Sequence, residues 1–288
     1  MSAIHIILVG GPTASGKSAF AMQLARAQNG SIINADAMQV YSGLPVLTAQ
    51  PDPADMSEIP HLLYQIMDSG EAGSAGKWLA LAKNAITEVK ASGRLPILVG
   101  GTGMYFSALL GGLADIPEIP KDVRDAGEKL FLDMGEQKFR RLLAAQDMES
   151  AARIKSNDRQ RLIRAYEVAV HTGKSLSQWQ KDGIFKTTGD YAPEFHLLSP
   201  PREALYRNCD ARFIAMVERG AIDEVKNLLA RNLSPALPAM KILGVGEIAM
   251  FLKGEISRGL AIEKAQQMTR NYAKRQMTWF RNQWKKKA

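Results

Sequence analysis

Cysteine is almost missing from this chain: Cys209 is its one thiol in 288 residues. A disulfide within the chain and a cysteine-rich metal site are both excluded. A buried, inert thiol in a reducing cytosol is expected instead. Histidine is scarce as well. His5, His61, His171 and His196 are the four, and no two stand at metal-ligand spacing. No apolar run is long enough to cross a bilayer. The opening MSAIHIILVGG is apolar but short, lacks a basic leader and runs straight into glycines. It reads as a strand rather than a signal peptide. Internal repeats and low-complexity stretches are absent too.

What the chain does have is an ordinary enzyme-like balance, 46% hydrophobic and 23% charged, with a net charge of +8. That supports one large domain, or a core with an inserted piece. The positive excess suits either a polyanion or small phosphates, and charge alone does not choose between them. Short apolar runs alternate with helical stretches. Residues 4–9, 31–36 and 195–200 read as strands, and 95–103 as a strand running into a glycine turn. Residues 18–27, 78–91, 202–232 and 262–287 read as helical. Such alternation argues a parallel sheet covered on both faces, with ligands at the carboxyl ends of its strands. From 121 to 181 the pattern is helical, highly charged and strand-free, after the two prolines of LADIPEIP. It reads as an inserted helical domain.

The first strand runs into GGPTASGKSAF, residues 10–20. Gly11, Pro12, Thr13, Ala14, Ser15, Gly16, Lys17 and Ser18 have phosphate-loop spacing, with a strand before and a helix after. Successive N–H groups form an anion cradle, aided by the positive end of the helix. Lys17 adds a point charge and Ser18 can ligate Mg²⁺. Such nucleotide-binding loops commonly hold ATP. Asp36 ends the second strand beside this loop. There it can serve an acceptor hydroxyl or Mg²⁺, take a proton from an amine nucleophile, or merely cap a turn. Gln39 carries a two-sided amide suited to a base edge, and Tyr41 either stacks a ring or packs in the core. In VGGTGMYF, Gly100, Gly101 and Gly103 allow close backbone approach, and Thr102 offers a hydroxyl. The strand lacks the terminal aspartate of NTP-hydrolysing relatives. Within the helical insert, Asp158 is placed to cap a helix, and Arg161 and Arg164 share a face beside Gln160. A solvated charged face has the same look. Residues 270–288 carry seven Lys or Arg and no acidic residue, with aromatics between them. Met277, Phe280 and Trp284 are spaced as a packing face, which leaves the cations exposed.

Six stretches occur together: GPTASGKS, NADAMQVYSGLPVLTAQP, LVGGTGMYFSALLGGL, NDRQRLIRAYEV, MKILGVGEI and AKRQMTWFR. In this order they resemble the tRNA dimethylallyltransferases, also called tRNA isopentenyl transferases, and they span most of the chain. The loop alone is generic; the set is specific. The resemblance implies transfer of a dimethylallyl group to N6 of the adenosine just after the anticodon. The loop would then hold the diphosphate of dimethylallyl diphosphate, with no nucleotide hydrolysed. The implied fold is α/β: a P-loop kinase-like parallel-sheet core flanked by helices, residues 1–116 and 195–288. An inserted helical domain, residues 117–194, helps grip the anticodon arm. The family's general base falls on Asp36 and its substrate-contacting threonine on Thr102. Its tRNA-contacting segments fall on Asp36, Ala37, Met38 and Gln39, and on Gln160, Arg161, Leu162, Ile163 and Arg164, with Arg124 in addition. Lys241 matches a diphosphate-binding position. A cytoplasmic monomer using Mg²⁺ and binding no membrane completes the expectation.

This sequence departs from the family pattern at Ala37 (usually serine), Leu47 (glycine), Gln50 (lysine), Arg159 (proline) and Gly244-Val245-Gly246 (often Gly-Tyr-Arg). Lys241 replaces an arginine of some relatives, keeping the charge but losing the bidentate fork. Two rival functions fit parts of the chain. A small-molecule kinase using ATP leaves the basic tail without a purpose. An RNA-binding switch protein leaves Lys17, Asp36 and Thr102 without a chemical one.

Overall fold

The computed structural model describes residues 3–182 and 190–284. The chain divides into two compact units, one of Met1–Leu110 with Thr188–Ala288, the other of Gly111–Thr187. In the first unit the order begins β1 (Ile4–Gly10), α1 (Lys17–Ala27), β2 (Gly30–Asn34), α2 (Pro53–Glu58), β3 (His61–Leu62), α3 (Ala75–Ala91), β4 (Leu95–Gly100) and α4 (Gly103–Gly111). The second unit contributes α5 (Lys121–Gln146), α6 (Met148–Arg153), α7 (Arg159–Thr172) and α8 (Leu176–Asp182). The first unit then resumes with β5 (Tyr191–Leu197), α9 (Arg202–Glu218), α10 (Ala221–Ala230), α11 (Val245–Leu252) and α12 (Arg258–Gln283).

Among the described residues the strands form one sheet in the order β3-β2-β4-β1-β5, and every pair is parallel. Both faces are covered, which is why the central strands read as unbroken apolar runs. Ile7 and Val9 of β1 face Ala21, Met22 and Ala25 of α1. Ile6 and Leu8 face the larger core with Trp78, Phe106 and Phe280. The connections leave the carboxyl ends of β1, β2 and β4 neighbours, so the phosphate loop, Asp36 and Thr102 share one rim of the sheet.

Three expectations are corrected. The fourth strand begins at Tyr191, not at 195, because its first half alternates exposed and half-buried positions and includes Pro193. A strand at the sheet edge tolerates both features. The expected helix over 202–232 is two helices, broken at Gly220 with φ +106°. The expected strand over 31–36 ends at Asn34, so Asp36 lies in the turn just after β2 rather than on its last residue.

The second unit has its own core, with Phe139, Leu143, Leu162 and Ile163 at its centre. Asp158 caps α7 by accepting from the Arg161 N–H at 3.3 Å. Arg140 donates to the carbonyls of Ala151 and Ile154 at 2.6 Å each, joining α5 to the end of α6.

Candidate active site

The phosphate loop is built on positive-φ turns. Gly16 stands at φ +88° and Ala14 at +60°. Gly16 is the N-cap of α1; no side chain caps the helix, and its first turn holds no acidic residue. The first N–H groups of α1 therefore have no partner inside the helix, and the positive end of its dipole is uncompensated. That is an anion site by construction. Lys17 donates to the loop's own Pro12 carbonyl at 2.6 Å. Although part of its surface reaches solvent, burial of the ammonium outweighs the attraction of Asp36, and its pKa is lowered to about 8. Ser18 is exposed at the loop mouth.

Asp36 is fixed by a buried asparagine. Asn34 is fully buried and donates to the carbonyls of Asp36 and Leu63 at 3.0 Å each. Its oxygen accepts from the Asp36 N–H at 2.8 Å. The Asn34 carbonyl in turn receives the Trp78 indole at 2.8 Å, and Trp78 stacks on Tyr105 with centroids 4.1 Å apart. On the carboxylate itself, Oδ1 accepts from the Met38 N–H at 2.9 Å. Oδ2 accepts no hydrogen bond from the described residues, so this oxygen is open to a substrate donor. Thr102 stands close by: its hydroxyl oxygen accepts from the Ala37 N–H at 3.0 Å. Tyr272 faces Thr102, and burial together with the charge of Asp36 raises its pKa. Lys17, Asp36 and Thr102 are thus brought together from β1, β2 and β4.

Gln39 is partly committed. Its Nε2 donates to the carbonyls of Thr48 and Ala49 at 2.9 Å each, which leaves Oε1 as an acceptor. The loop carrying those carbonyls is held from α10, where Glu224 accepts from the Val46 and Leu47 N–H groups at 2.8 Å each. Of the two roles open to Tyr41, the structure assigns packing: it is 1% exposed, and its hydroxyl accepts from the Gly73 N–H at 3.0 Å. Gln50, one of the departures from the family pattern, donates to the Tyr41 carbonyl at 2.9 Å. Lys241 ends a short 3₁₀ turn and is exposed, with no ion pair or hydrogen bond of its side chain among the described residues.

The glycines of VGGTG make room for protein rather than for a ligand alone. A Cβ at Gly100 would overlap the Ala35 backbone, one at Gly101 the Gln276 amide, and one at Gly103 the Trp279 ring. Gly10 is packed in the same way by Phe280 and Trp284. So AKRQMTWF turns Gln276, Trp279 and Phe280 inward under the rim, and Phe280 and Trp284 are buried, as the spacing predicts.

Three residues outside the expected site set also reach this rim. Arg212 of α9 donates through Nη2 to the Thr13 hydroxyl; burial works against its charge, and Asp36 is among the groups favouring it. Gln276 and Tyr272 of α12 reach the same rim. Each sits in a helix whose charged pattern gave no hint of an inward polar side chain.

In the second unit Arg124 and Gln160 are exposed. Arg161 lies 3.4 Å from Asp158 and remains 78% exposed. Arg164 is half-buried, with Glu167 and Arg124 the charges nearest to its guanidinium, and burial lowers its pKa. Leu162 and Ile163 are core residues, 0% and 3% exposed. Their side chains are committed to the core, so the polar side chains of this segment are Gln160, Arg161 and Arg164.

Mg²⁺ was expected at Ser18. Among the described residues no group of three His, Cys, Asp or Glu could hold a metal alone. An exposed hydroxyl beside an anion cradle fits a Mg²⁺ that takes most of its ligands from a bound diphosphate.

The chain is similar to known proteins over most of its length. Residues 39–283 match the family model described as IPP transferase. The chain is 53% identical over 278 residues to a tRNA dimethylallyltransferase of Caulobacter sp. strain K31, covering 96% of this chain and 90% of that one. It is 46% identical to the enzyme of that name in Agrobacterium fabrum, over 96% and 93% of the two chains. Among solved structures, a tRNA isopentenylpyrophosphate transferase of Staphylococcus epidermidis is 34% identical with a TM-score of 0.68, over 97% of this chain and 90% of that one. A eukaryotic dimethylallyltransferase seen acting on tRNA is 28% identical with a TM-score of 0.82, over 96% and 70%. On the extent of these matches, the chain belongs to the IPP transferase family.

Proposed function

We propose that this chain transfers the dimethylallyl group of dimethylallyl diphosphate to N6 of the adenosine just after the anticodon of tRNA and releases diphosphate. One observation carries the reading: Asp36, its backbone held by Asn34 and its carboxylate by the Met38 N–H, with one oxygen open, stands beside the uncapped N-terminus of α1 and Lys17. The adenine amine is a poor nucleophile, because its lone pair is delocalised into the ring. Asp36 Oδ2 accepts the N6 proton as nitrogen bonds to the allylic carbon. The carbon–oxygen bond to diphosphate breaks at the same centre. Negative charge collects on the leaving diphosphate, where the loop amides, Lys17 and Arg212 stabilise it. When bound, Mg²⁺ would neutralise further diphosphate charge through Ser18. Thr102 and Tyr272 line the side from which a base leaving its stack would enter.

Arg124, Gln160, Arg161 and Arg164 of the second unit contact the anticodon arm in this reading. The exposed cations of α12 add phosphate contacts. Lys241 is assigned to the diphosphate only by its position in the family pattern. No helix of the described residues is long and apolar enough to cross a membrane; a cytoplasmic monomer acting on tRNA is part of the proposal.

The test is incubation with labelled dimethylallyl diphosphate and unmodified tRNA. Label in the RNA at the adenosine after the anticodon is the expected result. ATP-dependent labelling of a small acceptor would replace this reading with a kinase.

A further inference from the structure

Gln39 is half-buried, and both hydrogens of its amide are spent inside the protein, on the carbonyls of Thr48 and Ala49 at 2.9 Å each. The nitrogen end must face these two oxygens, since an amide oxygen there would stand against two carbonyls. Its Oε1 accepts from no described residue. Unlike the partnerless Oε1 of Gln50, it is not sealed from solvent. A group that could otherwise donate or accept is thus fixed as an acceptor only.

The two carbonyls belong to a loop under restraint. Thr48 donates to the Leu44 carbonyl from its N–H at 3.1 Å and from its hydroxyl at 2.7 Å. The Ala49 and Gln50 N–H groups close turns on Val46 and Pro45. Ala49 is held at φ +54°, a left-handed conformation that alanine keeps only when its surroundings impose it. The restraint comes from α10. There Glu224, itself half-buried, accepts from the Val46 N–H with one carboxylate oxygen and from the Leu47 N–H with the other, at 2.8 Å each. Burial raises its pKa against the pull of these two N–H groups. No cation pairs with it among the described residues, so its charge is committed to the loop.

We propose that Glu224 is a positioning residue for RNA recognition: through Val46 and Leu47 it aims the Thr48 and Ala49 carbonyls at Gln39, and so presents Gln39 Oε1 to the exocyclic amine of a nucleobase. This rests on the prenyl-transfer reading, which puts Gln39 against tRNA. An acceptor-only group selects. The amines of adenine, cytosine and guanine can donate to it, whereas a carbonyl edge such as uracil O4 is repelled. A glutamine free to turn would accept either edge. Glu224 therefore contributes discrimination between bases rather than grip on the backbone.

The experiment uses the full chain and a fluorescent anticodon-arm RNA with adenosine just after the anticodon. In further RNAs each other loop base in turn lacks its exocyclic amine: nebularine for adenosine, inosine for guanosine, 2-pyrimidinone for cytidine. In the wild type one such replacement should weaken binding about tenfold, one hydrogen bond's worth. In Gln39→Leu the same replacement should cost nothing. In Glu224→Gln the penalty should shrink to about threefold or less. Adding Glu224→Gln to Gln39→Leu should change RNA affinity no further, because one residue acts through the other. Should Glu224→Gln fail to fold, Glu224→Asp carries the test with the same expectation, since its carboxylate stands too far back to hold both amides. Affinity for inorganic diphosphate should match the wild type throughout. Three results overturn the proposal: no replacement weakens the wild type, the penalty survives in the Glu224 variant, or that variant loses RNA affinity equally with and without Gln39. The last would make Glu224 a packing residue only. Labelled dimethylallyl transfer by the wild type keeps the two readings apart. With transfer to the intact arm, such results overturn this proposal alone; without transfer, the reading beneath it falls as well.

Discussion

At the residue scale the site turns on two charged groups with opposite tasks. Asp36 is positioned through Oδ1, and in the proposed reaction Oδ2 takes the proton. Asp36→Asn keeps the shape and removes the proton acceptor. Single-turnover transfer should fall about 10²–10⁴-fold, while tRNA affinity changes little. A near-normal rate in a rapid-quench measurement would remove Asp36 from the chemistry. Lys17 presents a different test. Its pKa in the folded protein is lowered to about 8, with Asp36, Arg212 and Cys209 as the charged or titratable groups around it. A group whose folded pKa lies below its unfolded value favours the neutral form in the free protein. Fold stability from this group therefore rises as pH climbs from about 8 toward 10.5. Diphosphate asks for the charged form, so its binding runs the other way. Affinity should be flat below about pH 8 and fall up to tenfold per unit above it, with a proton taken up on binding. Calorimetry in buffers of different ionisation enthalpy reads that proton directly, and Lys17→Met should abolish it.

At the scale of elements, α12 fills the space that three glycines leave open. Gly10 is the sharpest case, because a Cβ there would stand 2.7 Å from the Phe280 ring and 2.9 Å from Trp284. Gly10→Ala must push two large rings out of a close-packed core, at a cost of about 1–3 kcal/mol. Chemical denaturation should show the loss, with diphosphate affinity falling in parallel because the loop begins at the next residue. Full stability would mean that α12 yields easily and is a weaker support than its packing implies. This relation also marks where the sequence was legible. The strand, loop and helix from 4 to 27 could be read directly, since a short apolar run followed by glycines, lysine and serine has few other meanings. The packing face of Phe280 and Trp284 was legible from helical spacing. Gln276 and Arg212 were not, because an inward polar residue leaves no trace in hydrophobic periodicity; its partner decides its direction, and the partners lie 263 and 199 residues away. The glycines of VGGTG were visible, but whether they admit ligand or protein depends on a helix nearly two hundred residues later. β3, of two residues, is too short for alternation to register.

At the scale of the whole molecule, the chain divides its charge between two units, and the second one tests the RNA reading. Arg161 is 78% exposed beside Asp158, and Arg164 is half-buried beside Glu167. Were both structural, their surface pairs would contribute little. If they meet phosphates, neutralising Arg161 and Arg164 together should weaken binding to an anticodon-arm fragment and reduce the slope of log affinity against log salt by about 1–2. Diphosphate binding should stay as in the wild type. Superimposable salt titrations for the double variant and the wild type would take these arginines out of the RNA interface.

The pairing of β1 with β5 has a further consequence, one of timing. Residues Ile4–Gly10 hydrogen-bond with Tyr191–Leu197, so during synthesis β1 meets one of its two neighbours only after some 180 further residues have followed it. At usual synthesis rates that wait is on the order of ten to forty seconds. Phe280 and Trp284, which close the space beneath Gly10, arrive later still. The growing chain therefore carries its anion cradle on a strand with an open edge until β5 pairs with it. A chain that stalls before that point exposes a β-edge to its neighbours, and aggregation of truncated products is the expected sign of it.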